Sequence, residues 1–213
     1  MYLQITTKCN MNCEHCGFNC THEGEHMSFD IFKEALKLDD MCTVGGGEPT
    51  LHPEFEKILL HSLGKFDYTF VVTNGTNTSL SLLMLEMSKG MNEKFGVELS
   101  MDSFHNTELV DGEVIQAFME HGRIRDVESS PSGISYNGRA KDYWEKEDCN
   151  DYCVCAEHVV KPNGDILFCG CDDAPVIGNV WEGIDEKYQE EEFWDLDERC
   201  WTKYLGSKME EVA

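Results

Sequence analysis

Cys9, Cys13 and Cys16 lie in the run Thr7-Lys8-Cys9-Asn10-Met11-Asn12-Cys13-Glu14-His15-Cys16-Gly17, directly behind a strand-like segment from Tyr2 to Thr6. The spacing is C-x3-C-x2-C. Soft thiolates packed this closely select an iron–sulfur cluster, zinc or copper(I). In a cubane cluster they hold three irons and leave the fourth without a protein ligand. An open coordination position separates a reacting metal site from a structural one. The alternative is a zinc knuckle completed by His15 or Cys20.

Three further segments carry chemistry, in order along the chain. Val44-Gly45-Gly46-Gly47-Glu48-Pro49 follows a helix and a short strand. Adjacent glycines let a backbone approach a ligand closely, and the Glu48 carboxylate can receive an ammonium group. Phe70 to Thr73 reads as a strand that ends in the turn Asn74-Gly75-Thr76. Val97 to Asp102 is the next strand, ending in the polar residues Ser100 and Asp102.

Together these resemble the radical S-adenosylmethionine (radical SAM) superfamily. The resemblance implies a [4Fe–4S] cluster on Cys9, Cys13 and Cys16, whose open iron chelates S-adenosylmethionine. It implies that Gly45, Gly46, Gly47 and Glu48 hold the methionine end of the cofactor, with Asn74 in the Thr-Asn-Gly turn and Ser100 and Asp102 near the ribose. His15 stands where the family usually carries an aromatic residue.

A second group of cysteines follows: Cys149, Cys153, Cys155, Cys169 and Cys171, with Cys200 later. Between them Pro162-Asn163-Gly164-Asp165 separates two β-rich runs and reads as a hairpin turn. With Val176-Ile177-Gly178-Asn179-Val180 beyond it, this resembles the SPASM/twitch extension of radical SAM proteins. The resemblance implies a second, auxiliary [4Fe–4S] cluster. Four ligands come from six candidates: Cys153, Cys169, Cys171 and Cys200 are favoured, with Cys155 as the replacement. A structural zinc ribbon is the alternative. Cys20 and Cys42 read as ordinary buried thiols, a common use of free cysteine.

The elements that must position these residues follow from periodicity. Ser28 caps a helix through Ile31, Ala35 and Leu38; Pro53 opens a second, through Phe55, Ile58 and Leu59. Ser79 caps a third that ends before Gly90, and a fourth runs from about Thr107 to His121. Strands lie between them at Cys42 to Val44, Phe66 to Thr73, and Phe95 to Met101, with a fifth from Arg123 to Ser129. Alternating strands and helices predict an α/β fold with a parallel sheet. By resemblance this is an abbreviated partial (β/α)6 radical SAM barrel with a small cysteine-rich β-hairpin extension. The expected division is a core barrel over residues 1–145 and an auxiliary cluster domain over 146–213. Gly138-Arg139-Ala140 resembles the segment that ends the barrel in proteins with an additional cluster domain.

Composition narrows the partners. Eleven cysteines without a signal peptide favour metal ligation in a reducing compartment, and a cytoplasmic location is expected. The chain enters a strand at once, so no targeting segment is expected. No apolar run approaches a membrane span. A net charge of −24 argues against wide direct contact with nucleic acid, although radical modification of a nucleoside or base is the second reading of function.

The resemblance implies reductive cleavage of S-adenosylmethionine to a 5′-deoxyadenosyl radical, which takes hydrogen from a substrate carbon, with an electron donor such as flavodoxin or ferredoxin. The substrate is expected to be a small molecule or a peptide. Asp102, Ser103, His105, Glu128 and Tyr136 lie near expected strand ends and are the substrate-side candidates. Two readings without catalysis stand beside this one, an iron–sulfur electron carrier and a zinc-stapled binding module.

Overall fold

The computed structural model describes residues 1–125, 133–149 and 157–188. Its centre is β1 (Tyr2–Thr6), in which four of five residues are buried. Leu3 and Ile5 join the main core with Phe32, Ile58, Val71 and Phe118. Alternation along a strand puts Gln4 and Thr6 on the other face, where both are also buried. A strand covered on both faces belongs in the middle of a parallel sheet.

Four strands extend the sheet on one side of β1. These are β2 (Met41–Gly46), β3 (Tyr68–Thr73), β4 (Phe95–Ser100) and β5 (Arg123–Arg125), each parallel to its neighbour. Helices α1 (Phe29–Ala35), α2 (Phe55–Lys65), α3 (Thr78–Gly90) and α4 (Gly112–His121) connect them. The other edge of β1 takes β6 (Val159–Val160), also parallel, then β7 (Asp165–Leu167), β8 (Val176–Asn179) and β9 (Gly183–Ile184) as an antiparallel meander. The strand order β5-β4-β3-β2-β1-β6-β7-β8-β9 is an open sheet, a partial barrel that does not close.

The hairpin extension therefore continues the sheet of the barrel, and the pairing of β6 with β1 runs across the expected 145/146 boundary. The turn between β6 and β7 forms as the sequence implies. Gly164 adopts φ +92°, the left-handed region that glycine supplies without steric cost. The Asn163 side chain accepts from the Asp165 N–H at 3.1 Å.

Helix boundaries differ from expectation, among them the end of α3, which includes Gly90 instead of stopping before it. Ser28 caps α1, accepting from the Ile31 N–H at 3.2 Å. In α3, however, Asn77 is the cap, because its Oδ1 reaches the Leu80 N–H at 3.2 Å and Ser79 lies inside the helix. The α2 helix begins at Phe55, two residues after Pro53. The expected fourth helix is divided. A 3-10 turn over Thr107–Leu109 is followed by extended Val110, and Asp111 caps a fresh start by accepting from the Glu113 N–H at 3.0 Å. Of the expected fifth strand, Arg123–Arg125 is described and 126–129 lie outside the described residues.

Among the described residues no helix is long and apolar enough to cross a membrane.

Candidate functional site

The loop from Thr7 to His26 is held at the C-terminal end of β1 by its own backbone. The Cys9 N–H donates to the Thr21 carbonyl at 2.8 Å, the Thr21 N–H to the Thr7 carbonyl at 3.1 Å, and the Cys16 N–H to the Cys13 carbonyl at 3.2 Å. The segment after β2 is stitched to the same loop. The Gly47 N–H donates to the Thr6 carbonyl and the Glu48 N–H to the Lys8 carbonyl, both at 2.8 Å.

The glycines are required by this approach. A Cβ on Gly46 would lie 2.2 Å from the Thr6 carbonyl oxygen, and one on Gly47 2.1 Å from that of Lys8. Gly45 faces the Tyr2 hydroxyl, which accepts from the Gly46 N–H at 2.6 Å and leaves no room for a side chain. Each glycine is thus already pressed by the protein's own atoms.

Glu48 is fully buried. One carboxylate oxygen accepts from the Thr50 N–H at 3.1 Å, the Thr50 hydroxyl at 2.6 Å and the Thr73 hydroxyl at 2.9 Å; the other accepts from the Asn74 N–H at 2.7 Å. Burial raises its pKa, and these donors oppose the rise. The carboxylate joins the end of β2 to the end of β3.

Asn74 continues the same line of contacts toward the cysteines. Its amide donates to the Asn10 side chain at 2.9 Å and approaches the Cys9 sulfur at 3.8 Å, while its oxygen accepts from the Thr76 hydroxyl at 2.8 Å. The Cys9 sulfur also accepts from the Met11 N–H at 3.4 Å. Hydrogen bonds to sulfur are among the features that tune iron–sulfur clusters.

The three thiols sit in unequal surroundings. A hydrogen bond from the Cys20 thiol lowers Cys16 most, burial opposes this, and the Cys20 and Phe18 N–H groups and Arg139 add to the lowering. Burial pushes Cys13 up to about 12, with the Cys9 and Cys16 sulfurs adding to it. Cys20 is therefore a neighbour of Cys16 in the cysteine loop, whereas Cys42 contacts Thr69 in the core, an ordinary buried thiol. We expect Cys20→Ser to retain the iron of the reconstituted protein, because a hydroxyl also donates to the Cys16 sulfur. Loss of that iron on assay would make Cys20 a ligand.

His15 packs against Asp102 and His105. Its ring lies 3.4 Å from an Asp102 oxygen, and His105 approaches the other Asp102 oxygen at 2.8 Å. The ligating atoms of His15, Asp102 and His105 all lie within 4.8 Å of one another. Burial acts to raise the Asp102 pKa, but the His105 hydrogen bond and the charges of His105 and His15 outweigh it and hold the carboxyl below its usual range. His15 is drawn into this group through one ring nitrogen, and its Nδ1 is buried without a hydrogen-bond partner among the described residues. Asp102 and His105 are thus brought together at the end of β4, next to half-buried Ser100, while Ser103 is exposed.

Tyr136 belongs to a different neighbourhood, with the Lys141 ammonium 5.9 Å from its ring centroid. Glu128, Cys153, Cys155 and Cys200 lie outside the described residues. Cys169 is buried and Cys171 half-buried at the end of the hairpin, and Cys149 is buried. A cavity of about 460 Å³ separates the cluster loop from the hairpin; Phe18, Asn19, Lys161, Asn163 and Cys171 line it.

The residues present fit an iron–sulfur cluster with a bound small molecule. The donor set is three sulfurs on one pinned loop, and buried polar atoms nearby are left without protein partners, among them the Gln4 amide and His15 Nδ1. Sequence reasoning gave no role to Asn137 or Arg139, although the Gly138-Arg139-Ala140 segment stood out. The Arg139 guanidinium donates to the Cys13 carbonyl at 2.7 Å and to the Cys20 carbonyl.

An open mixed sheet, parallel from β5 through β1 to β6, with a three-cysteine loop at its strand ends defines an α/β protein. The radical SAM superfamily model matches residues 3–128, and the chain belongs to that superfamily. The superfamily implies S-adenosylmethionine and a [4Fe–4S] cluster. The chain is similar to the antilisterial bacteriocin subtilosin biosynthesis protein AlbA of Bacillus subtilis (strain 168), 33% identical over 114 residues, 51% of this chain and 25% of that protein. It is also similar to the tungsten-containing aldehyde ferredoxin oxidoreductase cofactor-modifying protein of Pyrococcus furiosus, 38% identical over 116 residues, 48% of this chain and 30% of that protein. The matched region thus spans between a quarter and a third of these relatives. Among solved structures, Streptococcus suis SuiB bound to S-adenosylmethionine aligns with a TM-score of 0.42 and 10% identity, over 92% of this chain and 65% of that one.

Proposed function

We propose that this chain is a radical SAM enzyme that modifies a peptide or a small molecule, with a second cluster on the hairpin cysteines. The observation that carries the reading is the loop bearing Cys9, Cys13 and Cys16, pinned by Glu48, Asn74 and the glycine segment at the strand ends. Cys9, Cys13 and Cys16 would hold the cluster, which when bound would supply the one electron for reductive cleavage of S-adenosylmethionine and so for hydrogen abstraction from a substrate carbon.

The chain's own residues orient and enclose. Asn74 and the Met11 N–H approach the Cys9 sulfur, and the glycine segment brings backbone against the loop. We assign Asp102 and His105 to the substrate side, where a carboxylate and an imidazole 2.8 Å apart can hold or pass a proton. Cys169 and Cys171 contribute to the auxiliary site, with Cys153, Cys155 and Cys200 as the further candidates. The net charge of −24 favours a peptide or small molecule over nucleic acid. A bacteriocin biosynthesis protein and a cofactor-modifying protein among the relatives support those two substrate classes.

The test is anaerobic reconstitution, an iron and sulfide count, and incubation with S-adenosylmethionine and dithionite. About eight irons per chain, two cubanes' worth, with 5′-deoxyadenosine formed, is the expected result. About four irons with cleavage would reassign the hairpin cysteines to zinc or structure. Zinc without cleavage would remove the enzyme reading.

A further inference from the structure

We propose that Arg139 is a positioning residue whose fixed positive charge raises the reduction potential of the cluster on Cys9, Cys13 and Cys16. This rests on reading those cysteines as cluster ligands. The side chain is built into the loop: one guanidinium nitrogen donates to the Cys13 carbonyl at 2.7 Å, another donates to the Cys20 carbonyl, and the Arg139 backbone N–H donates to the Cys16 carbonyl at 2.9 Å. The segment can come this close because the preceding residue is glycine. Gly138 has φ +56°, and a Cβ there would lie 2.5 Å from the carbonyl oxygens of both Cys16 and Gly17.

The chain carries 41 acidic and 17 basic lysine and arginine residues, so carboxylates are plentiful. Yet among the described residues Arg139 is given to three backbone carbonyls, and no carboxylate pairs with it. Guanidinium stays charged at any working pH and holds two carbonyls at once in a planar fork. Its two donor nitrogens end on the carbonyls of Cys13 and Cys20, so the charge is held against the loop that carries the three thiols. Reduction adds one electron to the cluster, so a nearby cation stabilises the reduced form more than the oxidised form. Net charge around a cluster is one of the determinants of its potential.

The neighbouring Asn137 keeps this arginine in register. Its amide nitrogen donates to the Gly17 carbonyl at 3.1 Å and the Gly170 carbonyl at 3.0 Å, and its oxygen accepts from the Asp172 N–H at 2.7 Å. The same short segment therefore touches the cluster loop and the hairpin.

The test uses the full chain, reconstituted anaerobically. The cluster is titrated with dithionite and mediators and followed by electron paramagnetic resonance, the signal that responds to added S-adenosylmethionine being assigned to the first cluster. At the wild-type midpoint, Arg139→Gln is expected to show a reduced-to-oxidised ratio at least about tenfold lower, about 59 mV for one electron. Arg139→Lys keeps the charge and is expected to titrate with the wild type. If Arg139→Gln takes up no iron, Arg139→Lys decides alone. Three results overturn the assignment. They are a glutamine variant that titrates with the wild type, a lysine variant shifted by the tenfold expected of glutamine, and failure of both to load iron, which would make the arginine a strut. A wild-type chain that loads no iron overturns the cluster reading itself, a result seen before any variant is titrated.

Discussion

Cys13→Ala is expected to abolish formation of 5′-deoxyadenosine while the protein stays folded. The loop around Cys13 is held by backbone groups, which the substitution leaves in place: its carbonyl accepts from the Cys16 N–H at 3.2 Å and from Arg139 at 2.7 Å. The side chain is only part-buried, so removing one sulfur leaves no large cavity. What is lost is one of the three thiolates spaced C-x3-C-x2-C, and Cys20, whose thiol sits against Cys16, does not take its place. Iron should fall from about eight to about four per chain, with deoxyadenosine undetectable by mass spectrometry and the circular dichroism unchanged. Cys169→Ala in the hairpin should do the reverse, lowering iron while sparing cleavage. If Cys13→Ala still cleaves the cofactor, the reacting cluster lies elsewhere.

The second large effect concerns stability. Glu48→Ala should lower the unfolding free energy by about 3–5 kcal/mol, a large share of the roughly 5–15 kcal/mol typical of a folded domain. Four donors converge on that carboxylate, and two of them are the backbone N–H groups of Thr50 and Asn74. Hydroxyls can rotate to other acceptors, but backbone N–H groups cannot. Each buried N–H left without a partner costs about 1–3 kcal/mol, and the space vacated by the side chain adds to that. Glu48→Gln should recover part of the loss, since its carbonyl oxygen still accepts while its amide faces a donor. The measurement is the urea midpoint of each variant at equal slope. An alanine variant as stable as the wild type would show that Thr73 and Asn74 do not depend on this carboxylate.

These two sites differ in how far the sequence discloses them. The cysteine loop is local: three cysteines within one short run need only a strand before them, and the spacing carries the message. The burial of Glu48 is not local, because its partners Thr73 and Asn74 lie 25 and 26 residues away. The glycines read as room for a ligand, yet Gly46 and Gly47 are pressed by Thr6 and Lys8 across β1 and β2, a contact visible only once those strands pair. Arg139 is further still from legibility, since its acceptor carbonyls lie 126 and 119 residues away and a carbonyl leaves no mark on residue type.

Among the elements, alternating apolar runs revealed the strands and helices. The errors came where several residues could serve the same local purpose. Asn77, Thr78 and Ser79 are three capping types in a row, and only the reach of the Asn77 side chain to Leu80 selects among them. At the start of α4, apolar spacing runs on through Val110, but Asp111 offers a new cap and the helix begins there instead.

The position of β1 bears on how the chain is made. β1 has one edge for β2 and another for β6, and the second partner, Val159–Val160, is synthesised long after it. Until that late segment arrives, the edge of β1 presents unpaired backbone groups, a template for association with other chains. Synthesis therefore has to pass through an interval in which the strand that carries the cysteine loop is unprotected on one side. The meander from β6 to β9 ends that interval, acting as a built-in guard for the edge of β1.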